Sequence, residues 1–217
     1  MESDGFLAAE AFPAAVRPGL GWIAADVEDR AETATLRAAL DAAAEAARAR
    51  EPAEIPAIAA TRRAYRALGK DPARYRPSAE ALLRRLRKGE ALPSLDPRVE
   101  VGNLISLETG FSIGVYDREA LRPPILARPG RAGESYLAIG GIACNLEGLP
   151  LLADRQGPFG SPTRDSARTA VRPETRRLLA VLYGFAPHPV EEPDLERARQ
   201  RLEELLGARI LAARLVA

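Results

Sequence analysis

The texture of this chain changes twice, and that change constrains its fold more than any single motif. Up to about Pro97 the apolar residues recur at helical spacing in Ala- and Leu-rich stretches, whereas after it they come in short runs separated by Gly, Pro and Asp. From Pro193 onward the helical spacing returns. Helices, then strands, then a helix imply an α+β (α/β-type) domain: a largely antiparallel central sheet flanked by helices.

The elements follow from that reading. Leu20 to Val27, around Trp22, reads as a strand, and the Ala-rich stretch from about Glu28 to Arg50 reads as a helix that Pro52 stops. A second helix is predicted from Ile55 to Leu68, closed by Gly69. A third opens at Pro77-Ser78 with Ser78 as N-cap, Ala81, Leu82, Leu83 and Leu86 as its apolar face, and Gly89 after its end. Strand-length runs follow at Ile113–Tyr116, Pro124–Ala127, Tyr136–Ile139, Leu149–Ala153 and Arg177–Phe185. Asp194 then caps a helix with Leu195, Ala198, Leu202 and Leu205 on one face, Gly207 ends it, and Arg209–Val216 forms a final strand. With 217 residues, 47% of them hydrophobic, the chain has material for one compact domain over 1–217. The strand and helix of 20–50 and the helix and strand of 193–217 are expected to pack on its core.

Composition removes several classes of function. One cysteine, Cys144, makes no internal disulfide, and with one histidine, His188, it falls short of a zinc or iron–sulfur ligand set. No metal and no cofactor are therefore expected. No stretch approaches the roughly 18 to 20 apolar residues of a membrane helix, and the start, Met1-Glu2-Ser3-Asp4, is acidic. The expectation is a soluble cytoplasmic protein with no membrane contact.

The net charge of +1 conceals a dipole. Residues 1–58 hold eleven acids and five arginines, a net of −6, whereas residues 60–90 hold ten basic residues and three acids, a net of +7. On the two helices of that basic stretch, Arg62, Arg63, Arg66, Arg84, Arg85 and Arg87 either contact nucleic-acid phosphates or solvate outer helix faces. A uniformly basic surface is absent, and no DNA partner is expected.

Most standard catalytic machinery is missing: there is no phosphate loop ending in Lys-Ser or Lys-Thr, no Gly-x-Gly-x-x-Gly and no Gly-x-Ser-x-Gly elbow. His188, between Pro187 and Pro189, reads as a turn residue, and Cys144 as a small buried thiol. Two segments carry polar residues in apolar or tightly turned surroundings. Val99–Gly110, read as a helix, puts Asn103, Ser106 and Gly110 on one face, with Glu108 nearby; an inward Asn either holds a small polar ligand or ties down backbone. Asp154–Thr169 is punctuated by Gly157, Pro158, Gly160 and Pro162 and gathers Asp165, Ser166, Arg168 and Thr169. That set either grips an amino acid or a ribose-phosphate end, or builds local turns with an Asp165–Arg168 ion pair.

At these segments the chain resembles the B3/B4 domain, the tRNA-binding and editing region of the beta subunit of bacterial phenylalanyl-tRNA synthetase, and more closely free-standing proteins built from that domain alone. The resemblance runs over about 60–184, through Tyr65–Pro72, Arg74–Leu82, Asn103–Gly110, Gly114-Val115-Tyr116-Asp117 and Asp165–Thr169. It implies an α/β-type domain with a pocket that, in the synthetase, hydrolyses mischarged tRNA. Asn103 matches the pocket asparagine. Where the synthetase has a histidine just before a Tyr/Phe-Asp pair, this chain has Gly114 followed by Val115, and where it has a glutamate in the strand after the threonine matched by Thr175, this chain has Val181. The synthetase's editing specificity is thus not transferable, although an activated aminoacyl ester needs little beyond a positioned water, the ribose hydroxyl and a carboxylate for the amino group. Asp154, Asp165 and Glu108 are the carboxylate candidates.

The resemblance implies a tRNA-binding protein that hydrolyses mischarged aminoacyl-tRNA in trans. The alternative is a non-catalytic module that binds an amino acid or similar metabolite and has lost editing.

Overall fold

The computed structural model describes residues 6–10, 12–28, 34–93 and 95–217. Ten strands and five α-helices are described in them: β1 Leu7–Ala9, β2 Leu20–Asp26, α1 Ala34–Arg48, α2 Pro56–Ala67, α3 Ser78–Arg87, α4 Pro97–Thr109 and β3 Ser112–Asp117 come first. β4 Ile125–Pro129, β5 Ser135–Leu137, β6 Ala143–Asn145, β7 Pro150–Asp154, β8 Gly157–Gly160, β9 Arg177–Tyr183, α5 Glu192–Leu206 and β10 Arg209–Val216 follow. The acidic start and the first residues expected of the Ala-rich helix, 29–33, lie outside the described residues.

One sheet has the order β10-β2-β9-β3, all antiparallel, and a second has the order β1-β4-β7-β8, in which only β1 and β4 run parallel. β5 and β6 form a separate two-stranded ribbon. This is the α+β architecture with largely antiparallel sheets that the change of texture implies.

The two-residue period of strands sorts the first sheet's side chains into two cores. Ile23, Ala25, Leu178, Ala180 and Leu182 face the helices and join Leu36, Leu40, Val101, Leu104, Leu195, Ala198 and Leu202 of α1, α4 and α5. Trp22, Ala24, Leu179, Val181 and Tyr183 face the other way, onto Ile125, Ala127, Leu152 and Phe159 of the second sheet. β9 is covered on both faces, which is why Leu178 through Tyr183 read as an unbroken apolar run. A third cluster ties α3 to the rest through Leu83 and Leu86 against Ala44, Ala47, Ile55 and Ile58.

Two predicted caps move. Pro77, not Ser78, is the N-cap of α3, and Ser78 is its first helical residue. Glu191 is the N-cap of α5, and Asp194 sits one turn in, where its carboxylate accepts the Glu191 N–H at 3.1 Å. α4 ends as glycine permits: Gly110 at φ 82° takes the left-handed turn, and its N–H returns to the Ser106 carbonyl. His188 is more integrated than a surface turn residue, stacking on Phe111 with centroids 5.5 Å apart. Cys144 is half-buried in β6.

Candidate functional site

β3 is an edge strand of its sheet, and the Ser161–Ala170 segment runs alongside it, joined through a bridge between Tyr116 and Ala170. Between that segment, α4 and the helix-facing side of β3 lies a cavity of about 330 Å³. Asn103 comes into it from α4, Ile113 and Val115 from β3, Asp165 from the loop, and Ser78, Asp96 and Ile139 close its sides. A volume of this order suits a small metabolite or an aminoacyl group.

Asp165 is the charged group of this cavity that has no cationic partner among the described residues. It is half-buried, lines the cavity, and accepts a hydrogen bond at 2.7 Å from the Tyr116 hydroxyl, which also pairs with the Tyr183 hydroxyl at 2.7 Å. Desolvation pushes its carboxyl up to about 7, and the hydrogen bonds from Tyr116 and the Ser161 backbone offset this only in part. Burial and the Asp165 charge together hold Tyr116 and Tyr183 well above the usual phenol range, so both stay protonated. Asp96, the cavity's other carboxylate, is neutralised by Arg98 at 2.7 Å. The Asn103 side chain makes no hydrogen bond among the described residues and leaves a donor and an acceptor open to the cavity.

The Tyr116 phenol is held between two glycines. A methyl group at Gly114 or at Gly160 would overlap its hydroxyl, so the absence of side chains at both positions is what admits the ring between the two sheets. Phe159 meets it edge-on at 5.0 Å. All five tyrosines of the chain gather around this loop: Tyr65 bonds Thr163 at 2.8 Å, Tyr136 donates to the Arg164 carbonyl at 2.5 Å, Tyr116 donates to Asp165 and pairs with Tyr183, and Tyr75 offers its carbonyl to Thr163.

The other candidates lie outside this cavity, and all but Thr169 make structural contacts there. Ser106 is buried and donates to the Phe111 carbonyl at 2.7 Å, closing the end of α4. Glu108 is held in a two-point pair by Arg201 of α5, at 2.7 and 3.2 Å. Ser166 accepts the Arg168 N–H at 3.2 Å and starts a short 3₁₀ turn, Ala167–Thr169. Thr169 is fully buried with its hydroxyl unpartnered. The Asp165–Arg168 pair does not form: Arg168 reaches back to Asp154 at 2.9 and 3.1 Å and to Gln156 at 2.8 Å. Asp154, its side chain wholly buried, also accepts from the Arg122 and Gln156 N–H groups. This clamp fixes the β7–β8 turn and lies apart from the Asn103–Asp165 cavity. Asp154→Ala strands Arg168 and two backbone donors, and urea unfolding should show a loss on the order of 3 kcal/mol; a loss under 1 kcal/mol would contradict a clamp.

Among the six arginines, Arg62 and Arg84 converge on the buried carboxylate of Glu80, each at 2.7 Å, Arg87 pairs with Glu51 at 2.6 Å, and Arg85 pairs with Glu90 at 3.7 Å. Arg63 and Arg66 are exposed and have no acidic partner among the described residues. No three His, Cys, Asp or Glu side chains among the described residues group as a metal site. No helix there is long and apolar enough to cross a membrane.

An α+β domain with two largely antiparallel sheets and, at an edge strand, a small mostly apolar cavity holding Asn103 and Asp165 is the class this geometry defines. The chain belongs to the B3/4 domain family, whose pattern it matches over residues 60–199. It is 30% identical over 113 residues to the phenylalanine–tRNA ligase beta subunit of Pasteurella multocida (strain Pm70), covering 51% of this chain and 14% of that one. To the beta subunit of Haemophilus influenzae (strain ATCC 51907 / DSM 11121 / KW20 / Rd) it is 30% identical over 96 residues, 43% of this chain and 12% of the other. The chain thus spans about one seventh or less of these curated relatives. Among solved structures, an N-terminal fragment of the phenylalanyl-tRNA synthetase beta subunit from Pyrococcus horikoshii superposes with a TM-score of 0.44 at 21% identity, over 54% of this chain and 43% of the fragment.

Proposed function

We propose that this B3/4 domain receives the aminoacyl end of tRNA in the Asn103–Asp165 cavity and hydrolyses mischarged aminoacyl-tRNA in trans, in the cytoplasm. The observation that carries the reading is that Asp165, with no cationic partner among the described residues, and Asn103, with an unengaged amide, line the same 330 Å³ cavity. Of the three candidate carboxylates, Glu108 and Asp154 are already neutralised by arginines, so Asp165 takes the substrate ammonium. Asn103 donates to the ester carbonyl and orients a water. Water oxygen adds to the carbonyl carbon, the ester C–O bond breaks, and the proton passes to the departing ribose oxygen with the neighbouring hydroxyl assisting. The tyrosine network holds Asp165 in place without adding charge.

In this reading Arg63 and Arg66 meet the RNA backbone and position it without reading sequence. Arg63→Glu with Arg66→Glu weakens tRNA binding at least tenfold and lowers the salt slope by about 2, since each lost phosphate contact removes about one unit. Filter binding across a salt series measures both quantities, and an unchanged slope removes these two residues from the interface.

A second reading, a non-catalytic amino-acid binding module, is favoured by the four candidate arginines already tied to carboxylates. Single-turnover hydrolysis on a panel of mischarged tRNAs separates the two. Release above the spontaneous rate supports the deacylase, whereas thermal stabilisation by a free amino acid with indifference to tRNA supports the module.

A further inference from the structure

A second cavity, of about 370 Å³, opens beside the first, and its electrostatic character is opposite. Two arginines, Arg74 and Arg164, line it, and no carboxylate does. Both arginines are exposed and neither has an acidic partner among the described residues. Lys70 adds a third cation close by: its Nζ lies 5.3 Å, and the Arg74 guanidinium carbon 5.6 Å, from the centre of the Tyr75 ring, so the aromatic ring holds both at the rim. Tyr75, Tyr136, Ile142 and Leu149 give the wall an aromatic and aliphatic part, and Asn145, Ser161 and Thr163 add neutral polar groups. Ile142 is half exposed, at 50%, and presents bare apolar surface.

Arg74 and Arg164 suit an anion, and the Tyr75 and Tyr136 rings suit a flat apolar body. A free phosphate would leave most of the volume unfilled. Arg164 and Asp165 are consecutive residues of one loop, yet one lines the cationic cavity and the other the cavity with the uncompensated carboxyl. A two-ended ligand, with a phosphate at one end and an ammonium at the other, carries the groups that each cavity suits.

We propose that this second cavity binds a nucleoside 5′-phosphate unit, its phosphate between Arg74 and Arg164 and its base against Tyr75, Tyr136 and Ile142. The unit comes either from the 3′ end of an RNA or from a free nucleotide. The match to a two-ended ligand rests on the aminoacyl reading of the first cavity, but the phosphate site itself does not. Base stacking on aromatic side chains is sequence-tolerant, and the arginines supply charge-assisted hydrogen bonds that fix the phosphate.

Isothermal titration of the full chain with AMP, adenosine, inorganic phosphate, phosphotyrosine and the trinucleotide CCA tests this. AMP or CCA should bind at least tenfold more tightly than adenosine or phosphate, and Arg74→Gln and Arg164→Gln should each weaken it about tenfold with Tm unchanged. Tighter binding of CCA than of AMP assigns the unit to an RNA end, and the reverse assigns it to a free nucleotide. Asp165→Asn should leave AMP affinity within twofold of wild type while amino-acid binding falls, which keeps failure of the first cavity distinguishable from failure of the second. The proposal is overturned by absent binding of both AMP and CCA, by affinities indifferent to both arginine variants, or by tighter binding of phosphotyrosine than of AMP.

Discussion

Asp165→Asn should make the protein more stable and less able to bind its ligand. The carboxyl titrates near 7 in the folded chain because it is desolvated, against an ordinary value of 3.8. Below about pH 4 it is protonated in both states and contributes nothing. As pH rises toward 7 the unfolded chain releases its proton first, so the folded state is increasingly penalised; above 7 both states are ionised and the penalty is constant. Three pH units correspond to about 4 kcal/mol at most, and water entering the open cavity reduces it. Asparagine keeps an oxygen for the Tyr116 hydroxyl and carries no charge. Thermal unfolding at pH 8 should therefore show a Tm several degrees above wild type, on the scale of about 2 to 4 °C per kcal/mol, and the gain should vanish below about pH 4. A lower Tm at pH 8, or a gain independent of pH, contradicts the account. Binding of an ammonium-bearing ligand should move the other way: wild-type affinity rises from pH 6 to pH 8 as the carboxylate forms, whereas the variant binds weakly at every pH.

Gly114→Ala should be among the most damaging single-methyl additions in the chain. The new carbon falls on the Tyr116 hydroxyl, inside a phenol pair that Phe159 and Gly160 enclose. Overpacking of this kind costs on the order of 3 kcal/mol, because neither sheet can retreat. Tyr116→Leu clears the space at its own cost, and in that background Gly114→Ala should cost less than 1 kcal/mol. Equal costs in both backgrounds, from urea unfolding of the four proteins, would place the constraint elsewhere. While Tyr116 occupies this place, no side chain fits at position 114. Val181 pairs with Gly114 across β3 and β9 and faces the same filled space. Asn103, by contrast, faces the open cavity on the helix side.

The main course of the fold is legible in local spacing. β2 and β10 coincide with the apolar runs that predict them, and α2, α3 and α5 end at the glycines that can take a left-handed turn. What escapes is what distant partners decide. β1 is three residues long and exists through its parallel pairing with β4, more than a hundred residues away. β8 reads as a turn because Gly157-Pro158-Phe159-Gly160 is composed like one, yet pairing with β7 makes it a strand. Ser78 and Asp194 have the chemistry of caps, but Pro77 and Glu191 stand at the N-cap positions and leave each a place inside the helix.

The site divides along the same line. Asn103 and Asp165 are recognisable by residue type and setting. That Asp154 would claim Arg168, leaving Asp165 without a cation, is a contact fourteen residues apart that no local pattern shows. The tyrosines carried a weak signal: a chain with only five of them that places one between Gly114 and Asp117 is making room for a ring.

Asn103 and Asp165 are proposed to form one aminoacyl-binding site. Single-turnover hydrolysis of mischarged aminoacyl-tRNAs, with wild type, Asn103→Ala and Asp165→Asn run side by side, tests it most directly. Release above the spontaneous rate is expected for at least one mischarged tRNA, reduced at least tenfold by either substitution while both variants remain folded. Release that survives both substitutions would contradict it, as would wild-type protein that neither accelerates hydrolysis nor binds the aminoacylated end.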